Sequence, residues 1–337
     1  MVDNNRKNRV NVGLLGAGHL GKIHLKCLLE LGEYFTISGF YDPNTETSSE
    51  IVNTFQLKQY SNAAELIQNS DAVIIATPTS THFELAKISM EHGKHIFIEK
   101  PLTATVEEAR KLQEMILQTN LKGQVGFVER FNPAFLALSE QKLNPHFIEA
   151  HRLAVYNPRG TDVSVVLDLM IHDIDILLKI VRSKVSNISA NGVAIVSKTD
   201  DIANARIEFV NGAVANITAS RISMKNMRKF RLFQSDSYIS MDFLDKKTEI
   251  IKIHDQPLDM DASFEIETPK GKKFVEMSVP EIHSNNAIKK ELELFALSIR
   301  ENTTPTATIQ DGLSALELAF EIIEKIEKNK LKLINAQ

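Results

Sequence analysis

A lysine at the end of a buried strand is the first candidate for chemistry in this chain. The segment His95–Glu99 has the composition of a central strand, and Pro101 must end it, because proline has no amide hydrogen and a fixed φ. In open α/β sheets, ligands bind at the carboxyl ends of the strands, where we expect Lys100 to lie. The tripeptide alone leaves open an ordinary strand-end lysine in contact with water.

Asp168 and His172 form a second candidate pair, four residues apart in the apolar run Val165–Ile180. In a helix they lie one turn apart on the same face, where an imidazole that titrates near neutral pH can transfer a proton. The alternative is an acid that caps the helix, followed by a core histidine whose polar atoms are satisfied. No cluster of His or Cys completes a ligand set, so the sequence predicts no metal site.

A glycine-rich turn, Gly16 to Gly21, follows the predicted strand Val10–Leu15 and opens a helix. This G-x-G-x-x-G pattern predicts a dinucleotide site when a strand precedes it and a helix follows it. Free amides at the helix start bind the pyrophosphate, and each glycine has a role in the turn, in the approach to the pyrophosphate or in helix packing. We expect cofactor contacts from Gly16, Gly18, His19, Leu20 and Gly21.

Asp42 ends the next strand and indicates which dinucleotide is bound. A carboxylate accepts hydrogen bonds from both ribose hydroxyls and repels a 2′-phosphate, so NAD is expected and NADP is less favoured. A second turn, Thr77-Pro78-Thr79, is predicted at the same edge of the sheet. His82 follows it and is either a further cofactor residue or an ordinary residue of the helix start.

The order of strands and helices predicts two domains of different class. Residues 1–128 alternate strands and helices, which indicates βαβ units and a doubly wound parallel sheet of the Rossmann type that binds NAD. Residues 129–337 contain adjacent strands, two of them joined by the hairpin signal Asn211-Gly212. They are expected to form an α+β domain with a mainly antiparallel sheet. The strand-like segment Asp245–Val279 has no predicted place.

Composition excludes several classes of protein. The 337 residues carry a formal net charge of −4 and 43% hydrophobic residues, without a basic stripe, so nucleic acid is not an expected partner. The single cysteine, Cys27, rules out an internal disulfide framework and fits a reducing compartment. No apolar signal core begins the chain and no run reaches the length of a membrane span. A cytoplasmic protein without a membrane partner is expected.

These motifs together resemble the Gfo/Idh/MocA oxidoreductase family (glucose–fructose oxidoreductase, inositol dehydrogenase, rhizopine catabolism) over nearly the whole chain. The resemblance rests on Gly16–Gly21, Thr77-Pro78, Glu99-Lys100-Pro101 and the Asp168 to His172 pair. It implies an NAD-binding Rossmann domain, and a second domain whose open sheet often makes a homodimer or homotetramer. It also implies that Lys100, Asp168 and His172 face the nicotinamide, with Glu99 beside the cofactor.

Two further features bear on the substrate that the resemblance implies. Glu129-Arg130-Phe131-Asn132-Pro133 resembles a branch that acts on nucleotide sugars such as UDP-N-acetylglucosamine, with Glu129 and Arg130 at the substrate. Tyr156 and Arg159 precede Asp168 and are either contacts to a phosphorylated or nucleotide-bearing substrate or solvated loop residues. Met170 stands where the family often has glycine, so the reaction transfers to this chain more readily than the substrate does.

The expected reaction is the reversible oxidation of a secondary hydroxyl of a sugar or nucleotide sugar, with hydride transfer to NAD. His172 is expected as general base, Lys100 as donor to the hydroxyl oxygen, and Asp168 as the group that orients them. Some relatives use the lysine as proton acceptor, and the sequence leaves this open. The alternatives are a dehydrogenase of a free sugar or inositol, an enzyme that cycles a retained cofactor or cleaves a glycosidic bond, and a non-enzymatic NAD-sensing regulator.

Overall fold

A computed structural model describes residues 9–157, 163–256, 263–269 and 271–335. The chain packs into two compact units. The first contains the chain up to Phe131 together with Asn285–Glu317, and the second contains Asn132–Ser284 and the chain from Leu318 onward. Helix α9 (Ile309–Asn335) begins in the first unit and continues in the second.

The first unit is built on a five-stranded sheet in which every neighbouring pair is parallel. Its strand order is β2-β1-β3-β4-β5, so the direction of winding reverses between β1 and β3. The strands are β1 (Val10–Leu15), β2 (Phe35–Tyr41), β3 (Ala72–Ile75), β4 (His95–Glu99) and β5 (Gly123–Gly126), and the helices are α1 (His19–Glu30), α2 (Thr45–Phe55), α3 (Ala63–Gln68), α4 (His82–Glu91), α5 (Val106–Leu117) and, from the later segment, α8 (Ala287–Arg300).

The core of this sheet follows from its sequence. All four residues of β3 are fully buried, as expected for a parallel strand covered by helices on both faces. The helix ends are also specified locally. Thr105 accepts a hydrogen bond from the amide of Glu108, whose side chain returns to the Thr105 amide, so a capping box starts α5. This sheet places the carboxyl ends of β1, β3 and β4 at one edge.

The described residues of the second unit form a nine-stranded sheet, in which only β6 and β9 pair in parallel. Its order is β13-β14-β12-β11-β10-β6-β9-β8-β7. Its helices are α6 (Pro133–Leu136) and α7 (Ile171–Ile180), and its strands are β6 (Phe147–Leu153), β7 (Val185–Val193), β8 (Ile202–Phe209), β9 (Val214–Ser220), β10 (Met227–Phe233), β11 (Ser237–Asp242), β12 (Lys247–His254), β13 (Ser263–Thr268) and β14 (Gly271–Ser278).

The predicted fold class is confirmed in both parts. β8 and β9 form the expected hairpin, and Gly212 between them has φ +87°, which the turn requires. The described part of Asp245–Val279, which the sequence did not place, supplies β12, β13 and β14. The domain boundary at 128/129 stays a prediction. The compact units group Asn285–Glu317 with the first part of the chain, which a single boundary does not express.

A buried ion pair anchors α7 to the large sheet. Alternate residues of β6 face the interior, and Arg152 stands at one of these positions. Its Nε and one terminal nitrogen each lie 2.9 Å from an oxygen of Asp173, in the first turn of α7. Both side chains are almost fully buried. The bidentate geometry satisfies both charges where water cannot reach them.

We predict that breaking this pair is strongly destabilising. Arg152→Met or Asp173→Leu leaves one buried charge without its partner, and each should lower the free energy of unfolding by about 3–5 kcal/mol. The double variant leaves neither charge, so its free energy of unfolding should fall by less than the sum of the decreases in the two single variants. Urea denaturation of the four proteins measures this coupling. Single variants within about 1 kcal/mol of the wild type would show that water or another group compensates the charge.

Candidate active site

The glycine-rich turn has the backbone geometry of an anion site. Gly16 has φ +86°, and a Cβ there would lie 2.7 Å from the carbonyl oxygen of Ala76, after β3. A Cβ on Gly21 would lie 2.1 Å from the carbonyl oxygen of Gly16, so α1 packs directly on the turn. Gly18 caps α1 without a side-chain hydrogen bond, and a Cβ there would meet no atom within 4 Å. The uncapped helix start and the open space at Gly18 fit a pyrophosphate.

Asp42 also stabilises the turn itself. Its Oδ2 accepts the amide hydrogen of Ala17 at 2.7 Å, and its Oδ1 accepts that of Asn44 at 2.8 Å. The side chain remains partly exposed, and each carboxylate oxygen has a second lone pair available. Asp42 can therefore support the loop and accept ribose hydroxyls at the same time.

Buried His82 links two turns at the carboxyl edge of the sheet. Its Nε2 lies 2.9 Å from the carbonyl oxygen of Thr77, and its Nδ1 lies 3.0 Å from that of Pro101. The Thr77 turn is closed by Thr81, whose hydroxyl donates to the Pro78 carbonyl at 2.8 Å and can accept from the Thr77 hydroxyl at 2.7 Å. The structure thus gives His82 a connecting position. Its cofactor-binding role, like those of Pro78 and Thr79, stays a prediction.

Glu99 and Lys100 lie at the end of β4. Glu99 is buried, and its Oε1 is 2.6 Å from Nε2 of the fully buried His24. Its other oxygen, Oε2, accepts the amide hydrogen of Lys100 at 3.2 Å. A Cβ on Gly126 would lie 2.7 Å from Oε2, so the carboxylate rests on the backbone of β5. Lys100 is half-buried beside this group.

Asp168 and His172 belong to the second unit. Asp168 lies in a single π-helical turn, Val166–Met170, and His172 lies in the first turn of α7 directly after it. Such π-helical turns are common at functional sites. The segment before this turn is tied down at Val163, whose carbonyl oxygen accepts from Arg221 at 2.7 Å and from the Thr199 hydroxyl at 3.0 Å. Both Asp168 and His172 are partly exposed, whereas Met170 between them is fully buried.

Of the residues predicted to bind a nucleotide sugar, Glu129 and Arg130 belong to the first unit and Tyr156 to the second. Glu129 and Arg130 are buried in the first unit, where Arg130 donates to the Thr306 carbonyl at 2.8 Å and to Asp311 at 3.1 Å. Burial by itself would raise the pKa of Asp311, but the Arg130 guanidinium and the hydrogen bonds from Thr308 together outweigh burial and lower it. These contacts give Arg130 a packing role, and the substrate roles of Glu129 and Arg130 stay predictions. Tyr156 is exposed, and Arg159 lies outside the described residues.

Sequence reasoning missed His24 and Gly126, which surround Glu99. The available signal was weak: His24 follows Gly21 by three residues and therefore lies on the same face of α1 as that tightly packed glycine.

Cys27, on the same helix, is buried, and this burial raises the pKa of its thiol. Among the described residues, no three His, Cys, Asp or Glu side chains form a group that could hold a metal ion. No helix in the described ranges is long and apolar enough to cross a membrane.

Comparison with known proteins identifies the class of this chain. Residues 10–127 match the NAD-binding Rossmann-fold model of the Gfo/Idh/MocA oxidoreductase family, and residues 142–239 match a C-terminal domain of that family. The chain belongs to this family. The predicted family, oxidoreductase class and NAD cofactor are confirmed.

Two named relatives illustrate the range of the family. The chain is 36% identical over 242 residues to UDP-N-acetylglucosamine 3-dehydrogenase of Acidithiobacillus ferrooxidans, an alignment that spans 72% of this chain and 76% of that protein. A solved structure of that enzyme, GnnA, superposes with a TM-score of 0.86 at 31% identity, covering 95% of this chain and 98% of the other. The scyllo-inositol 2-dehydrogenase of Bacillus subtilis is 29% identical over 236 residues, 64% of this chain and 69% of the enzyme.

We predict that two glycines of the turn respond differently to alanine. Gly18→Ala adds a methyl group in open space and should leave the melting temperature nearly unchanged, but it should weaken NADH binding by about 10-fold or more by occupying the pyrophosphate position. Gly21→Ala should lower both the melting temperature and the affinity for NADH, because its Cβ collides with the Gly16 carbonyl. The control, Gly32→Ala, has no atom closer than 3.9 Å to the new Cβ and should change neither. Unchanged NADH affinity in Gly18→Ala would contradict the assigned pyrophosphate position.

Buried His82 and half-buried His95 make the stability of the fold depend on pH. Burial lowers the pKa of His82 below its ordinary value of 6.5 and outweighs the carbonyls of Thr77 and Pro101, which act in the opposite direction. The pKa of His95 is also lowered, by burial and then by Lys122. Below pH 6.5 the unfolded chain therefore binds protons that the folded chain does not bind, so the free energy of unfolding falls as the solution becomes more acidic.

We therefore predict a melting temperature that is level above a pH of about 6.5 and declines below it. His82→Gln removes one of the two groups and should make the decline shallower. His92→Gln, at an exposed position after the same helix, is the matched control and should follow the wild type. Differential scanning fluorimetry across this range measures the slopes. Parallel slopes in the wild type and His82→Gln would contradict the assignment to His82.

Proposed function

We propose that this protein is an NAD-dependent dehydrogenase that oxidises the C3 hydroxyl of the sugar ring of UDP-N-acetylglucosamine or a close nucleotide sugar. The observation that carries this proposal is the similarity to UDP-N-acetylglucosamine 3-dehydrogenase, which extends through both units. The relatives with named activities act on secondary hydroxyls of rings, which supports the general reaction.

The proposed reaction removes a hydride from a carbon of the substrate and a proton from its hydroxyl group. NAD held by the Gly16–Gly21 turn and Asp42 would supply the hydride acceptor, and the carbon that carries the hydroxyl would become a ketone carbon. His172 takes the hydroxyl proton, because an imidazole can accept a proton near neutral pH. Lys100 donates a hydrogen bond to the same oxygen and stabilises the negative charge that develops there. Asp168 orients the imidazole or the hydroxyl.

We predict that Lys100→Met and His172→Asn each lower kcat by about 100-fold or more, the contribution usual for a positioned acid or base. NADH affinity should stay within about 3-fold of the wild type, because the pyrophosphate and ribose contacts are elsewhere. Turnover is followed as NADH formation, and affinity by NADH fluorescence. Lys111→Met, on α5, is the matched lysine control and should retain turnover.

A substrate panel separates the candidate functions. UDP-N-acetylglucosamine, UDP-glucose, free N-acetylglucosamine and scyllo-inositol are each supplied with NAD, and deuterium at C3 of the favoured sugar should appear in the NADH. A response only to inositol would favour an inositol dehydrogenase, the second candidate, which the Bacillus subtilis relative supports. NADH binding without turnover on any member would favour an NAD-sensing regulator.

Location and assembly are part of the proposal. A single buried cysteine suits the reducing cytoplasm, where nucleotide sugars and NAD are both available. A homodimer or homotetramer built through the open face of the large sheet is proposed from the family resemblance. Light scattering of the purified protein measures its mass directly.

A further inference from the structure

Lys100 is linked to α1 through two consecutive contacts. The fully buried His24 ring packs edge-on against Phe97, with the ring centroids 5.5 Å apart. Its Nε2 lies 2.6 Å from Oε1 of Glu99, and the other oxygen of Glu99 accepts the amide hydrogen of Lys100. The backbone of Lys100 is therefore linked to α1 through one carboxylate.

Within the ranges that the structure describes, the His24 ring makes a hydrogen bond through only one of its two nitrogens. With the proton on Nε2, a neutral ring donates to the Glu99 carboxylate. In the described part of the chain, its buried Nδ1 has no hydrogen-bond partner. On the opposite side, Gly126 leaves no space between the Glu99 carboxylate and β5. The carboxylate is therefore confined between a donor and the backbone.

His82 approaches Lys100 from the other side of the chain. One of its ring nitrogens lies 3.0 Å from the carbonyl oxygen of Pro101, and the other lies 2.9 Å from that of Thr77. The ring is nearly fully buried, so water cannot replace either contact. A neutral imidazole carries one N–H, so the ring donates to one of these carbonyls and packs against the other, and it holds Pro101 close to the Thr77 turn.

We propose that His24 and His82 are positioning residues for Lys100, one acting through Glu99 and the other through Pro101. Neither histidine is assigned a contact with substrate. The consequence for turnover rests on the proposed function, in which Lys100 donates to the reacting oxygen. A displacement of about 1 Å at such a group can cost a large factor in rate, so the two links set how effective Lys100 is.

Two pairs of variants test this proposal. Gln and Met have nearly the same shape, but only Gln can donate a hydrogen bond. His24→Gln is compared with His24→Met, and His82→Gln with His82→Met, while His92→Met at an exposed position is the control. For each protein we measure kcat, NADH affinity, and the rate at which Lys100 is acetylated relative to exposed Lys225, by mass spectrometry.

The expected result is a difference within each pair. The Met variants should lower kcat by about 10-fold or more and change the relative acetylation rate of Lys100, with NADH affinity nearly constant. The Gln variants should keep most of the wild-type kcat and a relative acetylation rate of Lys100 close to that of the wild type. Equal values of kcat and Lys100 acetylation in Gln and Met, whether both normal or both reduced, would overturn the proposal, because the hydrogen bond would then have no effect on Lys100.

The acetylation measurement keeps this inference separate from the proposed function. If the wild type forms no NADH with any sugar, the proposed function fails. The Lys100 acetylation rates in the Gln and Met variants still decide whether the two histidines position Lys100, because that measurement needs no substrate.

Discussion

The packing of the first unit depends on glycines at positions where an added Cβ atom would collide with a neighbouring segment. The Gly16 backbone touches the carbonyl that follows β3, α1 touches the Gly16 carbonyl through Gly21, and the Glu99 carboxylate rests on Gly126. Each contact joins the carboxyl end of one strand to its neighbour or to a helix start. Because protein interiors are close-packed, a single added methyl group at Gly16 or Gly21 would force these segments apart. This close approach creates an edge at which amides, a carboxylate and a lysine are held in fixed places.

The second unit positions its reactive residues with side chains instead. Asp168 and His172 lie on a π-helical turn and the first turn of α7, which the buried Arg152–Asp173 pair attaches to β6. The chain before the turn is held at the carbonyl of Val163 by Arg221 and Thr199. An ion pair of this kind gives little net stability, but an arrangement of α7 that separated the pair would leave a buried charge without its partner.

Local patterns in the sequence were sufficient for much of the fold and for part of the site. The glycine turn and the Asn211-Gly212 hairpin are encoded by neighbouring residues, and Gly16 and Gly212 have the positive φ that these turns require. Asp42 stands directly after β2, as the sequence predicts. The contacts that were missed join residues far apart in the chain: His24 with Glu99, and Arg130 with Asp311. The spacing of hydrophobic residues along the sequence does not indicate which distant residues will be in contact. For the same reason a linear reading could not group Asn285–Glu317 with the first unit, since that grouping depends on packing.

The two ways of positioning residues have different consequences for specificity. The cofactor edge is made largely of backbone amides and glycines, so it can be shared by relatives that act on different rings. In the second unit, the partly exposed Asp168 and His172 stand on either side of the buried Met170 in the sequence. Under the proposed function these side chains lie at the substrate, so a substitution there would alter which hydroxyl is presented without changing the residues of the dinucleotide turn. A UDP-N-acetylglucosamine dehydrogenase and an inositol dehydrogenase can therefore both resemble this chain, and the difference between their substrates is to be sought in the second unit.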